Sequence, residues 1–110
     1  MSESSSSEGM VKQNSEDLEL PLEIYRNLAR RAMEESRKEL PGLEKAVGSG
    51  DFSSIQKSTH KLKGTCGSLQ LNMIAIPATQ INDLAKKSEG LEKIRGLFVH
   101  LKDAIEKTEI

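Results

Sequence analysis

The chain has 110 residues, 35% of them hydrophobic and only 3% aromatic, with no Trp; one domain of that make-up suits a small bundle of Leu-, Ile-, Val- and Ala-lined helices and argues against an aromatic-rich sandwich. The formal net charge is −1 but unevenly placed: residues 1–20 hold Glu3, Glu8, Glu16, Asp17 and Glu19 against Lys12 alone, whereas Phe52 to Asn82 carries Lys57, Lys61 and Lys63 and no acid. Three lysines are too sparse for a nucleic-acid footprint, so nucleic acid is not expected as a partner, but they suit an acidic protein surface.

Residues 1–16 are Ser- and Glu-rich without periodicity and read as a disordered tail. The ordered body is expected from residue 17 to residue 110. Tyr25, Leu28, Ala32, Leu40, Leu43 and Val47 fall at helical spacing and predict a helix from about Pro21 to Val47. Pro21 suits its first turn, Pro41 is expected to kink or break it, and Gly48-Ser49-Gly50 ends it. Asp51 is placed to cap the next helix, whose core stripe is Phe52, Ile55, Thr59, Leu62, Cys66 and Leu69. Asn72 reads as the cap of a further helix with Ile74, Ala78, Ile81, Leu84 and Ala85 inward, bent at Pro77. Ser88-Glu89-Gly90 turns the chain into a last helix, with Leu91, Ile94, Phe98, Leu101 and Ile105 stepping three and four. Nothing alternates with period two. The expected fold is all-α, an antiparallel up-down four-helix bundle with room for a short extra helical turn near Leu18 at one end.

The second helix carries the most informative stretch, Thr59-His60-Lys61-Leu62-Lys63-Gly64-Thr65-Cys66-Gly67. His60 sits one residue off the core stripe, about 100° around the helix, so it should lie at the edge of the buried face or be exposed. Residues three and four apart share a helix face, which places His60, Gly64 and Gly67 on one stripe with Lys63 at its edge. Glycine inside a helix costs about 1 kcal/mol relative to Ala. Two of them beside an imidazole imply a bare patch of backbone that lets a partner protein come close. A single cysteine, Cys66, cannot close an internal disulfide and reads as a small core residue. No apolar run approaches the roughly 18 residues of a membrane span, and the N-terminus lacks the apolar centre of a signal peptide. A cytoplasmic monomer without membrane contact is expected.

His60-Lys61-Leu62-Lys63-Gly64, followed by Gly67 and Leu69, resembles the phosphoacceptor motif of histidine phosphotransfer (HPt) domains, the relay modules of multistep two-component signalling. The Gly50-Asp51 pair opening the helix is similar to the family's pattern, and the resemblance covers about residues 17–110. Gln70 departs from it, standing where such motifs usually carry glycine before the last hydrophobic residue. The resemblance implies that His60 accepts a phosphoryl group from a receiver-domain aspartate or a sensor kinase and passes it to another receiver. It implies receiver (response-regulator) domains and a hybrid sensor kinase as partners. It also implies no cofactor in this chain, the Mg²⁺ lying on the receiver.

Phosphoryl transfer is largely positioning and charge stabilisation, and an exposed imidazole is available in its neutral, nucleophilic form near neutral pH. Lys63, one turn along, is placed to neutralise phosphate charge. Gln56, Lys57, Lys61, Gly64 and Gly67 make up the expected docking face, Gln56 either orienting the ring or standing solvated. His100 has no Lys-Gly neighbours and reads as a surface histidine. Neither G-x-x-x-x-G-K-[ST] nor G-x-G-x-x-G is present, so the chain is expected to be a phosphocarrier without an ATP site rather than an enzyme. Two histidines with no clustered carboxylate give no metal site. Two alternatives remain open at this point: a helical docking module that carries no phosphate, and a fragment of a larger hybrid or chemotaxis-type kinase.

Overall fold

Apolar residues stepping by three and four build helices throughout. The computed structural model describes residues 4–110 as α1 (Ser4–Asp17), α2 (Leu22–Ser49), α3 (Phe52–Gly67), α4 (Asn72–Lys86) and α5 (Leu91–Lys107), with no strand among the described residues. α3 packs on α4, α4 on α5, and α2 on both α3 and α5, which closes a ring of four. α1 lies against α2 alone among the helices. The core inside the ring is aliphatic: Leu43, Ile55, Leu62, Ile74, Ile94 and Leu101 are all buried. No helix among the described residues is long and apolar enough to cross a membrane.

The reading of residues 1–16 as a disordered tail is corrected for residues 4–16, which belong to α1; residues 1–3 lie outside the described residues. The helical body therefore starts before residue 17, and α1 is far longer than the single extra turn expected near Leu18. Its own sequence carries almost no apolar stripe. Docking supplies what periodicity does not: Val11 is fully buried in a small second core with Tyr25 and Ala29. On the surface, Glu8 accepts from both terminal guanidinium nitrogens of Arg26, at 2.6 and 3.1 Å.

α2 is not broken by Pro41. That residue lies on the exposed side of the helix, where the carbonyl it leaves without an N–H partner can meet water. Leu28, expected in the core stripe, is 40% exposed. The inward face is taken by Ala29, Ala32, Met33 and Ser36, which leaves Leu28 about 100° away. Asn72 does not cap α4. The cap is Leu71, whose carbonyl accepts from Ile74 N at 3.0 Å and Ala75 N at 2.9 Å, and Asn72 is the first helical residue.

Four helix ends close with the same paired backbone bonds. After α3, Leu71 N donates to Cys66 O at 2.9 Å and Gln70 N to Gly67 O at 3.0 Å. The same six-to-one and five-to-two pattern follows α1, α2 and α4. It requires a left-handed residue at the turn. Only α2 uses glycine there, Gly50 with φ 72°; Glu19, Gln70 and Ser88 occupy the others with φ of 56°, 58° and 53°.

Candidate functional site

α3 starts where Asp51 stops the chain behind it. The Asp51 carboxylate accepts from Ser54 N at 3.2 Å and from Ser54 Oγ at 2.7 Å. These bonds hold its carboxyl below the usual range. From that fixed start the helix turns Ile55, Thr59, Leu62 and Cys66 inward, all buried. His60, one residue off the stripe, is exposed, as the spacing allows, and so are Lys57, Lys61, Gly64 and Gly67. Gln56 and Lys63 are half-buried.

The His60 turn is anchored from below. Asn82 of α4 is fully buried, and its amide donates to Gln56 O at 2.9 Å and to Thr59 Oγ1 at 3.2 Å. The far end of α3 is held by two side chains from elsewhere. Tyr25 Oη donates to Leu69 O at 2.6 Å, and Asn14 of α1 donates to Gln70 O at 3.0 Å. Asn14 also reaches Tyr25 Oη at 3.1 Å. Burial pushes the Tyr25 hydroxyl and the Cys66 thiol up from their ordinary ranges. Cys66 faces Ser36 across the core at 3.4 Å.

Around His60 the expected residues separate. Ser53, Gln56, Lys57 and His60 line one groove together with Lys86, which enters from α4. Lys61 turns the other way. It pairs with Glu39 of α2 at 2.7 Å, and Glu39 also accepts from Ser58 Oγ at 2.9 Å. The pairing lowers the Glu39 carboxyl and raises the Lys61 ammonium. The acid-free run from Phe52 to Asn82 thus acquires an acid in three dimensions, and Lys61 is not an unpaired cation. Lys63 lies one turn beyond His60 and outside the groove lining. At Gly64 an added Cβ would meet nothing within 4 Å, and at Gly67 it would meet Ala75 Cβ at 3.9 Å, an ordinary contact. Helix packing therefore requires neither glycine. His100 stands exposed on α5, in a separate groove with Glu44, Asp103 and Glu106.

Lys86 and Glu39 are the site residues that reading along the chain missed. One signal existed for Lys86. If α3 and α4 run in opposite directions with Thr59 beside Asn82, the turn before Thr59 meets the turn after Asn82.

The exposed His60 imidazole thus stands on α3 beside open space over Gly64 and an open groove that bears Lys57 and Lys86. The chain belongs to the Hpt domain family: the family model matches residues 27–109. That family places it in histidine phosphotransfer within phosphorelay signalling, as a phosphocarrier module. No curated protein and no solved structure matches the chain. The family match begins inside α2, so α1 lies ahead of it.

Proposed function

We propose that His60 is the phosphoacceptor of a relay intermediate, loaded by a receiver-domain aspartyl phosphate or a sensor kinase and discharged to another receiver. The observation that carries this reading is the exposed His60 with empty space above Gly64, one turn away. A neutral imidazole nitrogen donates its lone pair to phosphorus. The bond from phosphorus to the aspartyl oxygen breaks, and its electron pair leaves on the carboxylate. The other imidazole nitrogen keeps its proton, and delivery runs the same step in reverse. The partner receiver contributes Mg²⁺ and a lysine, so this chain needs only a reachable, oriented ring. Gln56, Lys57, Gly64 and Gly67 form the docking face, with Lys61 at its α2 edge and Lys63 at its far edge as a further source of positive charge. The scaffold is read as an antiparallel up-down four-helix bundle, supported by the closed ring of helix contacts and the short links between them. The reading is of a cytoplasmic monomer with no ATP site of its own.

Incubation with a receiver carrying labelled phosphate tests the assignment. Wild type and His100→Gln should both take up an acid-labile, base-stable label, and His60→Gln should take up none. Label on His60→Gln refutes the assignment. An inert wild type against a broad panel of receivers favours a docking module that carries no phosphate.

A further inference from the structure

We infer that Lys86 of α4 is a phosphoryl-binding residue of this chain, holding the phosphoryl group on His60 in the groove between α3 and α4 with Lys57 beside it. The inference rests on the reading of His60 as the phosphoacceptor and assigns where its phosphoryl group sits. Side chains on a helix lean toward its N-terminus and cover the preceding turn. The His60 ring therefore lies toward Ser53, Gln56 and Lys57, not toward Gly64. That side of His60 is a groove of about 440 Å³ whose remaining wall is Lys86.

The groove contains two ammonium groups, a hydroxyl and an amide, and no carboxylate is among its lining residues. Neither Lys57 nor Lys86 forms an ion pair among the described residues, in contrast to Lys61, whose charge is matched by Glu39. An added dianionic group thus meets two cations and displaces no existing ion pair; Lys57 also borders the neighbouring groove with Glu39 and its charge reaches Asp51, which leaves Lys86 the less committed of the two. Lys57 comes from the helix that bears the histidine. Lys86 comes from the neighbouring helix, held in register by the Asn82 amide one turn before it. The competing role for Lys86 is the one its place in the last turn of α4 suggests, a cation near the helix carbonyl end. Lys87 follows it at the same helix end but does not line the groove, so the two lysines separate these roles.

The test loads His60 chemically in a His100→Gln background. Phosphoramidate serves as donor: the imidazole nitrogen attacks phosphorus, the P–N bond breaks, and ammonia leaves. The pH titration of the ³¹P signal then reads the second ionisation of the phosphoryl group. A lysine in contact favours the dianion and lowers that midpoint. Lys86→Met should raise it by about 0.7 of a pH unit, the size expected for loss of one charge about 4 Å away in a mostly aqueous setting. Lys86→Arg should restore it, and Lys87→Met should leave it unchanged. An unmoved midpoint in Lys86→Met overturns the inference. So does an equal shift in Lys87→Met, which would make Lys86 a general charge at the helix end. Because loading is chemical, the outcome is independent of whether any receiver phosphorylates His60: failure of receiver transfer strikes the function, and failure of the titration shift strikes Lys86.

Discussion

Gln70 holds a backbone shape that an L side chain adopts at a cost and glycine adopts freely. Its φ of 58° places it at the left-handed position that closes α3. The side chain is tolerated because the backbone bonds of the turn and the Asn14 amide fix the segment around it. Gln70→Gly should therefore stabilise the protein by about 1 kcal/mol, read from chemical denaturation. Gly64 presents the opposite case. It is an ordinary helical residue with open space where a Cβ would go. Gly64→Ala should stabilise by about 0.5–1 kcal/mol through lost backbone entropy in the unfolded chain. Gly64→Arg should also fold, yet transfer phosphate far more slowly, because its side chain would lie back over the His60 turn. A lower melting temperature for Gly64→Ala, or wild-type transfer by Gly64→Arg, would show that the bare backbone is not the docking face.

α1 behaves as a clamp on the turn between α3 and α4. Asn14→Ala removes the donor from Gln70 O and one partner from Tyr25 Oη. A loss of about 1–2 kcal/mol is expected, with faster hydrogen exchange concentrated at Leu71 and the first turn of α4. Uniform acceleration across all helices would instead mean that α1 simply contributes to global stability. This helix was illegible in the sequence because its order comes from the surface it docks on; one buried valine and one buried asparagine in a Ser/Glu-rich run leave no period to read. The other four helices were legible because each carries its own stripe, and the Asp51 cap and the Gly50 stop are local chemistry. The placement of His60 off the buried face was legible for the same reason, being fixed by its offset from Ile55, Thr59 and Leu62; the spacing left edge and full exposure open, and His60 is exposed. Glu39 and Lys86 were not, since each reaches α3 from another helix, about two dozen residues away along the chain. The left-handed residues were hidden as well, because Glu19, Gln70 and Ser88 are not glycines.

Across the whole molecule the carboxylates set the response to acid. Glu39, Asp51 and Glu8 all titrate below their ordinary values in the folded chain, through Lys61, Ser54 and Arg26 respectively. A group lowered on folding stabilises the native state above its unfolded value and loses that contribution as pH falls through the lowered one. Melting temperature should thus hold steady near neutrality and fall once the pH drops below about 4.5, the ordinary value for glutamate. Glu39→Gln should make this fall shallower and lower the neutral-pH melting temperature slightly, since an exposed pair contributes modestly. An acid profile identical to wild type would mean that the Glu39–Lys61 pair does not form in solution.

The amide of Asn82 also limits how the two halves of the site can drift. Its nitrogen is matched to Gln56 O and Thr59 Oγ1, while its oxygen has no partner among the described residues. An apolar pair at this contact would tolerate small axial slips, whereas a donor aimed at one carbonyl does not. Sliding α4 by one turn would carry the Lys86 ammonium about 5.4 Å along the groove, beyond reach of a group attached to His60. Asn82→Leu should consequently fold with nearly unchanged or even higher stability, because it also removes the unmatched oxygen. Its phosphorylated form should nevertheless show a broadened ³¹P line, the mark of a phosphoryl group that samples more than one distance from its cation. A line as narrow as wild type would mean that aliphatic packing alone sets the alignment of α3 and α4.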